Sequence, residues 1–229
     1  MEGGGRDSVI QLILVRHGES LWQAEDRYAG STDVPLSSRG REQAERLATW
    51  SASAGLTAIW SSPLSRTRET AAPAERTTGL AAHIDFRLKE VDFGRGEGLT
   101  AAEIERSFPE AFAAFQSDPV VHYLPGGEDP RGAAQRAIAC FKEIEMEHPG
   151  GRVLVVSHST LIRLALCELI GVPLSRYRSV FPSVTSAALT EIRLEGERAS
   201  LLRFNACLNL LERGRKEDSE LGSSFEAKP

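Results

Sequence analysis

The 229-residue sequence has few cysteines, no long apolar run and no excess of positive charge. Its three cysteines, Cys140, Cys167 and Cys207, are odd in number and far apart, which disfavours a disulfide-stapled fold and indicates buried, reduced thiols in the cytoplasm. No apolar run approaches the ~20 residues of a membrane span. With 27 Lys and Arg against 32 Asp and Glu, the net charge is -5, so neither nucleic acid nor an anionic membrane is expected as a partner.

The length suits one large domain or two small ones. At 41% apolar and 26% charged residues, the composition is that of a globular protein and not of a disordered or collagenous chain. Residues 1–8 are glycine-rich and lack the apolar core of a signal peptide, and from residue 213 the sequence becomes polar. We therefore expect a soluble protein with one domain over residues 9–212 and flexible segments at 1–8 and 213–229.

Near-continuous apolar runs mark the strands of a predicted sheet. Residues 9–15 and 153–156 have the pattern of strands that are buried on both faces of a parallel sheet. Shorter runs at 57–60 and 84–88 are typical of further extended segments. Helical patterns alternate with these runs, so the sequence predicts an α/β fold, a three-layer α/β/α sandwich around a mostly parallel central sheet.

Residues 99–148 have a helical pattern throughout and are interpreted as a small helical cap. Phe108, Phe112 and Phe115 recur at helical spacing within it. They either cover a pocket or pack on the sheet, which is the commoner fate of an aromatic stripe. We expect residues 100–118 to lie over the pocket.

Charged side chains follow the predicted strands at the points where the strands end. The first strand ends in Arg16 and His17, and the strand at 153–156 is followed by His158. After the strand at 57–60, Ser62 and Pro63 have the pattern of a helix start, which brings Arg66 close to a helix N-terminus. Ligands of parallel sheets bind at the carboxyl ends of the strands, where arginines and helix N-termini suit an anion. This arrangement predicts a phosphate pocket.

The segment from Arg16 to Ser20 resembles the RHG motif of the histidine phosphatase superfamily, the phosphoglycerate-mutase-like proteins. The resemblance covers nearly the whole predicted domain. Its further segments, in order along the chain, are Arg27–Gly30, Asp33–Ser37, Ser61–Thr67, Leu88–Gly94, Pro125–Glu128 and Val155–His158.

The resemblance implies a role for each residue of the candidate site. His17 is the implied nucleophile, Arg16, Arg66 and His158 bind the phosphoryl group, and Glu90 is the proton donor and later the base. Two further residues are expected to bind the substrate: Gln23, where many members have an asparagine that contacts the phosphate, and Ser159, where the family often has glycine.

The implied function is a metal-independent phosphomonoesterase that hydrolyses small phosphate esters through a phosphohistidine, without a cofactor. The branch that the sequence resembles most is that of α-ribazole phosphatase and the broad-specificity phosphatases. The expected partner is a small-molecule phosphate ester, and a homodimer is left open. The alternatives are a cofactor-dependent phosphoglycerate mutase, a non-catalytic phosphate-recognition module and a metal-dependent phosphoesterase.

Several residues have a second interpretation. Asp92 or Glu97 could replace Glu90 as the acid, because both lie close to it in the sequence. Arg66 could belong to a solvated helix face. Gly96 stands where the family often has tryptophan, and its small size is expected to remove an aromatic wall from the pocket. The remaining histidines are interpreted as surface or local structural residues: His83, His122 and His148.

Overall fold

The computed structural model describes residues 9–208, so the flexible segments predicted at 1–8 and 213–229 lie outside the described residues. The strands are β1 (Ile10–Arg16), β2 (Ala58–Ser61), β3 (Ala82–Ile84), β4 (Arg152–Ser157), β5 (Leu189–Glu195) and β6 (Arg198–Ala206). The helices are α1 (Leu21–Ala24), α2 (Ser38–Ser51), α3 (Ser65–Thr78), α4 (Ala101–Ser107), α5 (Pro109–Ser117), α6 (Pro130–Glu147), α7 (Ser159–Ile170) and α8 (Tyr177–Val180).

Within this part of the chain the strands form one sheet in the order β3-β2-β4-β1-β5-β6. The first four strands of that order pair in parallel, and β5 and β6 close the sheet as antiparallel neighbours. Helices cover both faces of the sheet. The predicted α/β sandwich with a mostly parallel sheet is confirmed.

Alternate residues of the central strand pack on opposite faces of the sheet, as the pleat of a strand requires. Ile13 and Val15 of β1 join a core cluster with residues of α2 and α3, whereas Leu12 and Leu14 join the cluster that α6 and α7 complete. Because β1 is buried on both faces, its sequence is a continuous apolar run instead of an alternating one.

The carboxyl ends of three strands meet at one edge of the sheet. The backbone N–H of His17 donates to the carbonyl of Ser157 at the end of β4, and the N–H of Ser62, just after β2, donates to Val156. These contacts hold the residues that follow β1, β2 and β4 side by side, which is the arrangement that the sequence predicts for the pocket.

Two local predictions near this edge are wrong. The extended segment predicted at 84–88 ends at Ile84, and a short 3₁₀ turn follows at Phe86–Leu88. Helix α3 begins at Ser65 and not at Pro63, because the carboxylate of Asp33 accepts hydrogen bonds from the N–H and the hydroxyl of Ser65. Asp33 therefore takes the capping role that the sequence analysis assigns to Ser62.

The cap predicted over residues 99–148 is only partly a cap. Helix α6 packs in the main core on the sheet, with Ala137, Phe141 and Ile144 buried there. The phenylalanines of α5 pack neither on the sheet nor in the pocket, because Phe112 and Phe115 form a separate core cluster with residues of α4 and the loop before α6. Of the helices described within residues 99–148, α4 and α5 therefore form a unit outside the sandwich and α6 does not.

The cysteines match their predicted state in part. None of the three forms a disulfide, and Cys140 and Cys167 are buried, but Cys207, just after β6, is exposed instead of buried. Among the described residues, no helix is both long enough and apolar enough to cross a membrane.

A glycine pair permits the turn after β1 to lie directly against α2. A methyl group on Gly18 would meet the carbonyl oxygen of Gly40 at 2.5 Å, and a methyl group on Gly40 would overlap the carbonyl oxygen of Glu19. Because backbone atoms stand on both sides of this contact, no side chain can move aside to make room. The backbone beside His17 is thereby fixed.

The substitution Gly40→Ala should lower the free energy of unfolding by about 1–3 kcal/mol, because the added methyl overpacks this contact. Gly132 of α6 is a matched control, since it is also helical but exposed, with open space where the methyl would stand. Gly132→Ala should raise stability by up to about 1 kcal/mol through helix propensity. Equal effects of the two substitutions in urea unfolding would contradict the close contact.

Candidate active site

A pocket of about 300 Å³ opens at the carboxyl edge of the sheet. Its inner wall comes from the residues after β1, from the start of α3 and from the start of α7, and its outer wall comes from residues 26–30 and Phe93. Six of the sequence-predicted residues line this pocket: Arg16, His17, Gln23, Arg66, Glu90 and Ser159.

His17 is buried, and its hydrogen bonds define which ring nitrogen is free to react. Nδ1 lies 2.6 Å from the carbonyl oxygen of Gly18. A carbonyl oxygen can only accept, so Nδ1 carries the proton and Nε2 carries the lone pair. Nε2 in turn accepts from Nε of Arg66 at 3.3 Å. Burial, and then the charges of Arg66 and Arg16, lower the pKa of His17 well below its ordinary value of 6.5, so the ring is neutral near pH 7.

Arg66 is completely buried, which rules out the solvated helix face. Its guanidinium donates to the carbonyl oxygens of Gly30 (2.6 Å) and Thr32 (2.8 Å) in addition to His17. The loop that carries these carbonyls is itself held by Glu97, whose carboxylate accepts from the backbone N–H groups of Ser31 and Thr32. Glu97 therefore acts on the arginine through the loop and does not line the pocket.

His158 and Arg16 lie beside His17. The ring of His158 meets that of His17 edge-on, with 5.1 Å between the ring centroids, and its Nε2 lies 2.9 Å from the hydroxyl of Ser62. Arg16 donates through Nη1 to the carbonyl of Val184 at 2.7 Å. Nε of Arg16 and Nδ1 of His158 are buried, and neither has a hydrogen-bond partner among the described residues. Burial, and then the charge of Arg66, lower the pKa of His158 well below 6.5.

Glu90 is the only one of the three candidate acids among the pocket-lining residues. Its carboxylate accepts from the backbone N–H groups of Thr160 and Leu161, both at 3.0 Å. Two amides at the start of α7 are therefore occupied by Glu90, although helix N-termini were expected to bind the anion. Asp92 instead accepts from the hydroxyl of Ser31 and from the backbone N–H of Gly94, away from the pocket.

Gln23 and Ser159 occupy the rim of the pocket. Gln23 lies on α1, and its amide nitrogen donates to the hydroxyl of Ser186 at 3.0 Å. Ser159 is the first residue of α7 and follows directly after His158. Both side chains are half-buried, so each presents polar atoms to a ligand without being shielded from water.

Arg163 and Tyr28 are two of the pocket residues that were not predicted as site residues. Arg163 lies one turn into α7, where its guanidinium packs over the ring of Tyr177 with 4.9 Å to the ring centroid. Its spacing from Ser159 could have indicated it, because residues four positions apart lie on the same face of a helix. Tyr28 packs edge-on against Phe93 with 5.2 Å between ring centroids.

The expected lid is absent from the pocket wall. No residue of 100–118 lines the pocket; instead, Phe115 packs behind Tyr28 and Phe93 and supports them. Gly96 is buried under the side chains of Leu124 and Ile104, so the missing tryptophan does not open the pocket as predicted.

The remaining histidines lie outside the pocket, as predicted. His83 stacks on Trp60 with 3.9 Å between ring centroids, and Nε2 of His148 accepts from the indole N–H of Trp60. His122 is exposed. Within residues 9–208, no group of three or more His, Cys, Asp or Glu side chains is arranged to hold a metal ion.

The model of the histidine phosphatase superfamily (branch 1) matches residues 12–207. The chain belongs to this superfamily. The match includes all of the pocket residues described above, so the family resemblance noted from the RHG segment is confirmed.

Relatives within the superfamily include phosphatases and a mutase-like protein. Phosphoserine phosphatase 1 of Hydrogenobacter thermophilus is 34% identical over 89% of this chain and 96% of its own length. A Salmonella typhi protein named "Probable phosphoglycerate mutase" is 33% identical over 72% of this chain and 77% of its own. The solved structure of α-ribazole phosphatase from Shigella flexneri has a TM-score of 0.78 and 26% identity, and the match covers 86% of this chain and 96% of that one.

The two buried histidines make the stability of this superfamily member depend on pH. Both are neutral in the folded state, whereas in the unfolded state both take up a proton below pH 6.5. The unfolded state therefore binds more protons, and the free energy of unfolding should fall between pH 6.5 and 5, by up to about 1.4 kcal/mol per pH unit for each histidine. Urea unfolding at several pH values measures this slope.

The pH slope should be much smaller in the double variant His17→Gln/His158→Gln than in the wild type. The exposed His122 provides the control, because His122→Gln should keep the wild-type slope. A wild-type slope in the double variant would show that other groups cause the pH dependence.

Proposed function

We propose that the protein is a metal-independent phosphomonoesterase that transfers the phosphoryl group of a small ester to Nε2 of His17 and then to water. The observation that carries this proposal is the hydrogen bond from Nδ1 of His17 to the carbonyl of Gly18. It directs the lone pair of a neutral imidazole toward a pocket lined by arginines. A neutral imidazole is a competent nucleophile near pH 7, and the covalent step replaces one slow hydrolysis with two easier transfers.

The same hydrogen bond supports the intermediate. When Nε2 bonds to phosphorus, the ring becomes a cation, and the carbonyl of Gly18 then accepts from a stronger donor at Nδ1. Arg66 loses its contact with the lone pair of Nε2, so its Nε can donate to the transferred phosphoryl group instead. No proton has to leave His17 for the attack to occur.

The buried donors beside His17 fit the charge of a phosphoryl group. Arg16 and Arg66 supply two permanent positive charges, and the unpartnered Nε of Arg16 is available to a phosphoryl oxygen. Such donors stabilise the equatorial oxygens as charge shifts in the transition state. These side chains provide electrostatic stabilisation of the kind that a metal ion provides in other phosphoesterases. His158 is not among the lining residues, so its role in binding the phosphoryl group stays a prediction.

Glu90 is suited to serve as the acid and then as the base. In the first step the bond from phosphorus to the ester oxygen breaks, and the departing alkoxide takes a proton from Glu90. In the second step water attacks the phosphohistidine, and the carboxylate of Glu90 takes a proton from that water. The amides of Thr160 and Leu161 hold the carboxylate in place for both steps.

Hydrolysis is favoured over mutase activity by the charges of the pocket. A mutase must hold a bisphosphate, which needs cations beyond those that bind the transferred group. Of the lining arginines, Arg27 is already paired with Glu25 and Glu103, so Arg163 is the one remaining cation among the described lining residues. The phosphatase relative also matches more of the chain than the mutase-like one.

The proposed substrates are small monoesters, and phosphoserine is the first to test because one relative is named for it. We also propose a cytoplasmic location, which the three unpaired cysteines support. A small-molecule partner, without nucleic acid or membrane, fits a pocket of about 300 Å³. The homodimer stays a prediction.

The substitution Glu90→Gln should slow the hydrolysis of phosphoserine about 100-fold or more, because the serine alkoxide cannot leave without a proton. It should slow the hydrolysis of p-nitrophenyl phosphate only a few-fold, since nitrophenolate departs unprotonated. Steady-state kcat on the two substrates measures the difference.

Asp92→Asn is the matched control, since it makes the same chemical change two residues away from Glu90. Asp92→Asn should change kcat by the same factor for both substrates, because the Asp92 carboxylate accepts from the hydroxyl of Ser31 and does not line the pocket. Equal losses on both substrates in Glu90→Gln would show that another group donates the proton.

A further inference from the structure

Arg136 lies on α6, outside the pocket, yet its guanidinium contacts the segment that carries Glu90. Nη1 donates to the carbonyl oxygens of Arg87 (2.6 Å) and Lys89 (2.7 Å), and Nη2 donates to that of Glu90 itself (3.2 Å). The carbonyl of Leu88, between them, accepts from the hydroxyl of Ser157. Four consecutive carbonyls are thus held by two side chains.

The other side of the guanidinium faces Glu128 in a two-point ion pair. Nε of Arg136 donates to Oε1 of Glu128 at 2.8 Å, and Nη2 donates to Oε2 at 2.9 Å. Glu128 is in turn tied to Asp92, because its backbone N–H donates to the Asp92 carbonyl at 2.9 Å. All five N–H groups of Arg136 therefore have acceptors, which only the planar fork of arginine can achieve.

This segment depends on these contacts because it has no regular secondary structure of its own. Lys89 and Glu90 follow a single 3₁₀ turn and belong to no helix or strand. Their carbonyls have no sheet or helix partner, so without Arg136 they would require water. The buried side chains of Leu88 and Val91 anchor the two ends of this stretch, and Arg136 holds the carbonyls between them. The amides of α7 hold the carboxylate of Glu90, but they do not hold its backbone.

We propose that Arg136 is a positioning residue that sets the place of the Glu90 carboxyl group in the pocket, with Glu128 orienting its guanidinium. The inference rests on the proposed function, in which Glu90 protonates the leaving group. A displacement of about 1 Å is sufficient to cost on the order of 100-fold in a proton transfer that depends on geometry. Loss of Arg136 should therefore resemble loss of Glu90, in weaker form.

The test compares Arg136→Met with Glu90→Gln on phosphoserine and p-nitrophenyl phosphate. Arg136→Met should lower kcat for phosphoserine about tenfold or more and kcat for p-nitrophenyl phosphate less than about threefold, with KM little changed. In the Glu90→Gln background the same substitution should lower phosphoserine turnover by no more than about threefold, because the group through which it acts is already removed.

Arg87→Met is the matched control. Arg87 bonds through its side chain to Asp85 and Glu143, so it is an ion-paired arginine of the same segment whose side chain does not touch the backbone of Glu90. Arg87→Met should change kcat by the same factor for phosphoserine and for p-nitrophenyl phosphate. Arg136→Lys should recover little of the phosphoserine rate, because one ammonium group cannot serve five acceptors.

Three outcomes would overturn the inference. Equal losses on the two substrates in Arg136→Met would show a general structural role, and full additivity with Glu90→Gln would show that Arg136 does not act through Glu90. If Arg136→Met does not fold, Glu128→Gln takes its place. It should lower kcat for phosphoserine more than kcat for p-nitrophenyl phosphate, by a smaller factor than is expected for Arg136→Met. Equal losses on the two substrates in Glu128→Gln would overturn the inference. If Glu90→Gln loses more activity on phosphoserine than on p-nitrophenyl phosphate and Arg136→Met does not, only this inference is overturned. If Glu90→Gln itself loses equal activity on the two substrates, the acid role of Glu90 is overturned.

Discussion

Arg66 is a completely buried cation, and such a group must be given acceptors or its burial costs several kcal/mol. The carbonyls of Gly30 and Thr32 supply two acceptors, and the lone pair of His17 supplies the third. That third contact requires a neutral ring with its proton on Nδ1. The position of the arginine and the reactivity of the histidine are therefore set by one set of hydrogen bonds.

The carboxylates around the pocket have different roles, because each binds a different part of the surrounding backbone or a different side chain. Glu97 fixes the loop that holds Arg66, and Asp33 begins the helix that carries it. Glu90 binds two of the amides at the start of α7, so those two do not serve a phosphoryl group. Glu128 acts one step further out, through Arg136.

The features that the sequence predicts correctly are those with a periodic or strand-terminal pattern. The continuous run of β1 indicates a strand buried on both faces, and the carboxyl ends of parallel strands bring His17, Arg66 and His158 together without further information. Irregular segments are harder, because residues 89–98 have no period that would show which of three nearby acids faces the pocket. Likewise, the apolar face of α6 predicts burial but does not show whether the helix packs on the sheet or in the cap.

The phosphoryl acceptor is tested most directly by trapping the covalent intermediate. After rapid mixing with ³²P-labelled substrate and a quench that avoids acid, the protein should carry a label that is stable in base, is lost in acid and lies on the peptide containing His17. His17→Ala should take up no label, although it keeps Arg16 and Arg66. Label on another residue, or label that persists in His17→Ala, would contradict the role of His17 as nucleophile.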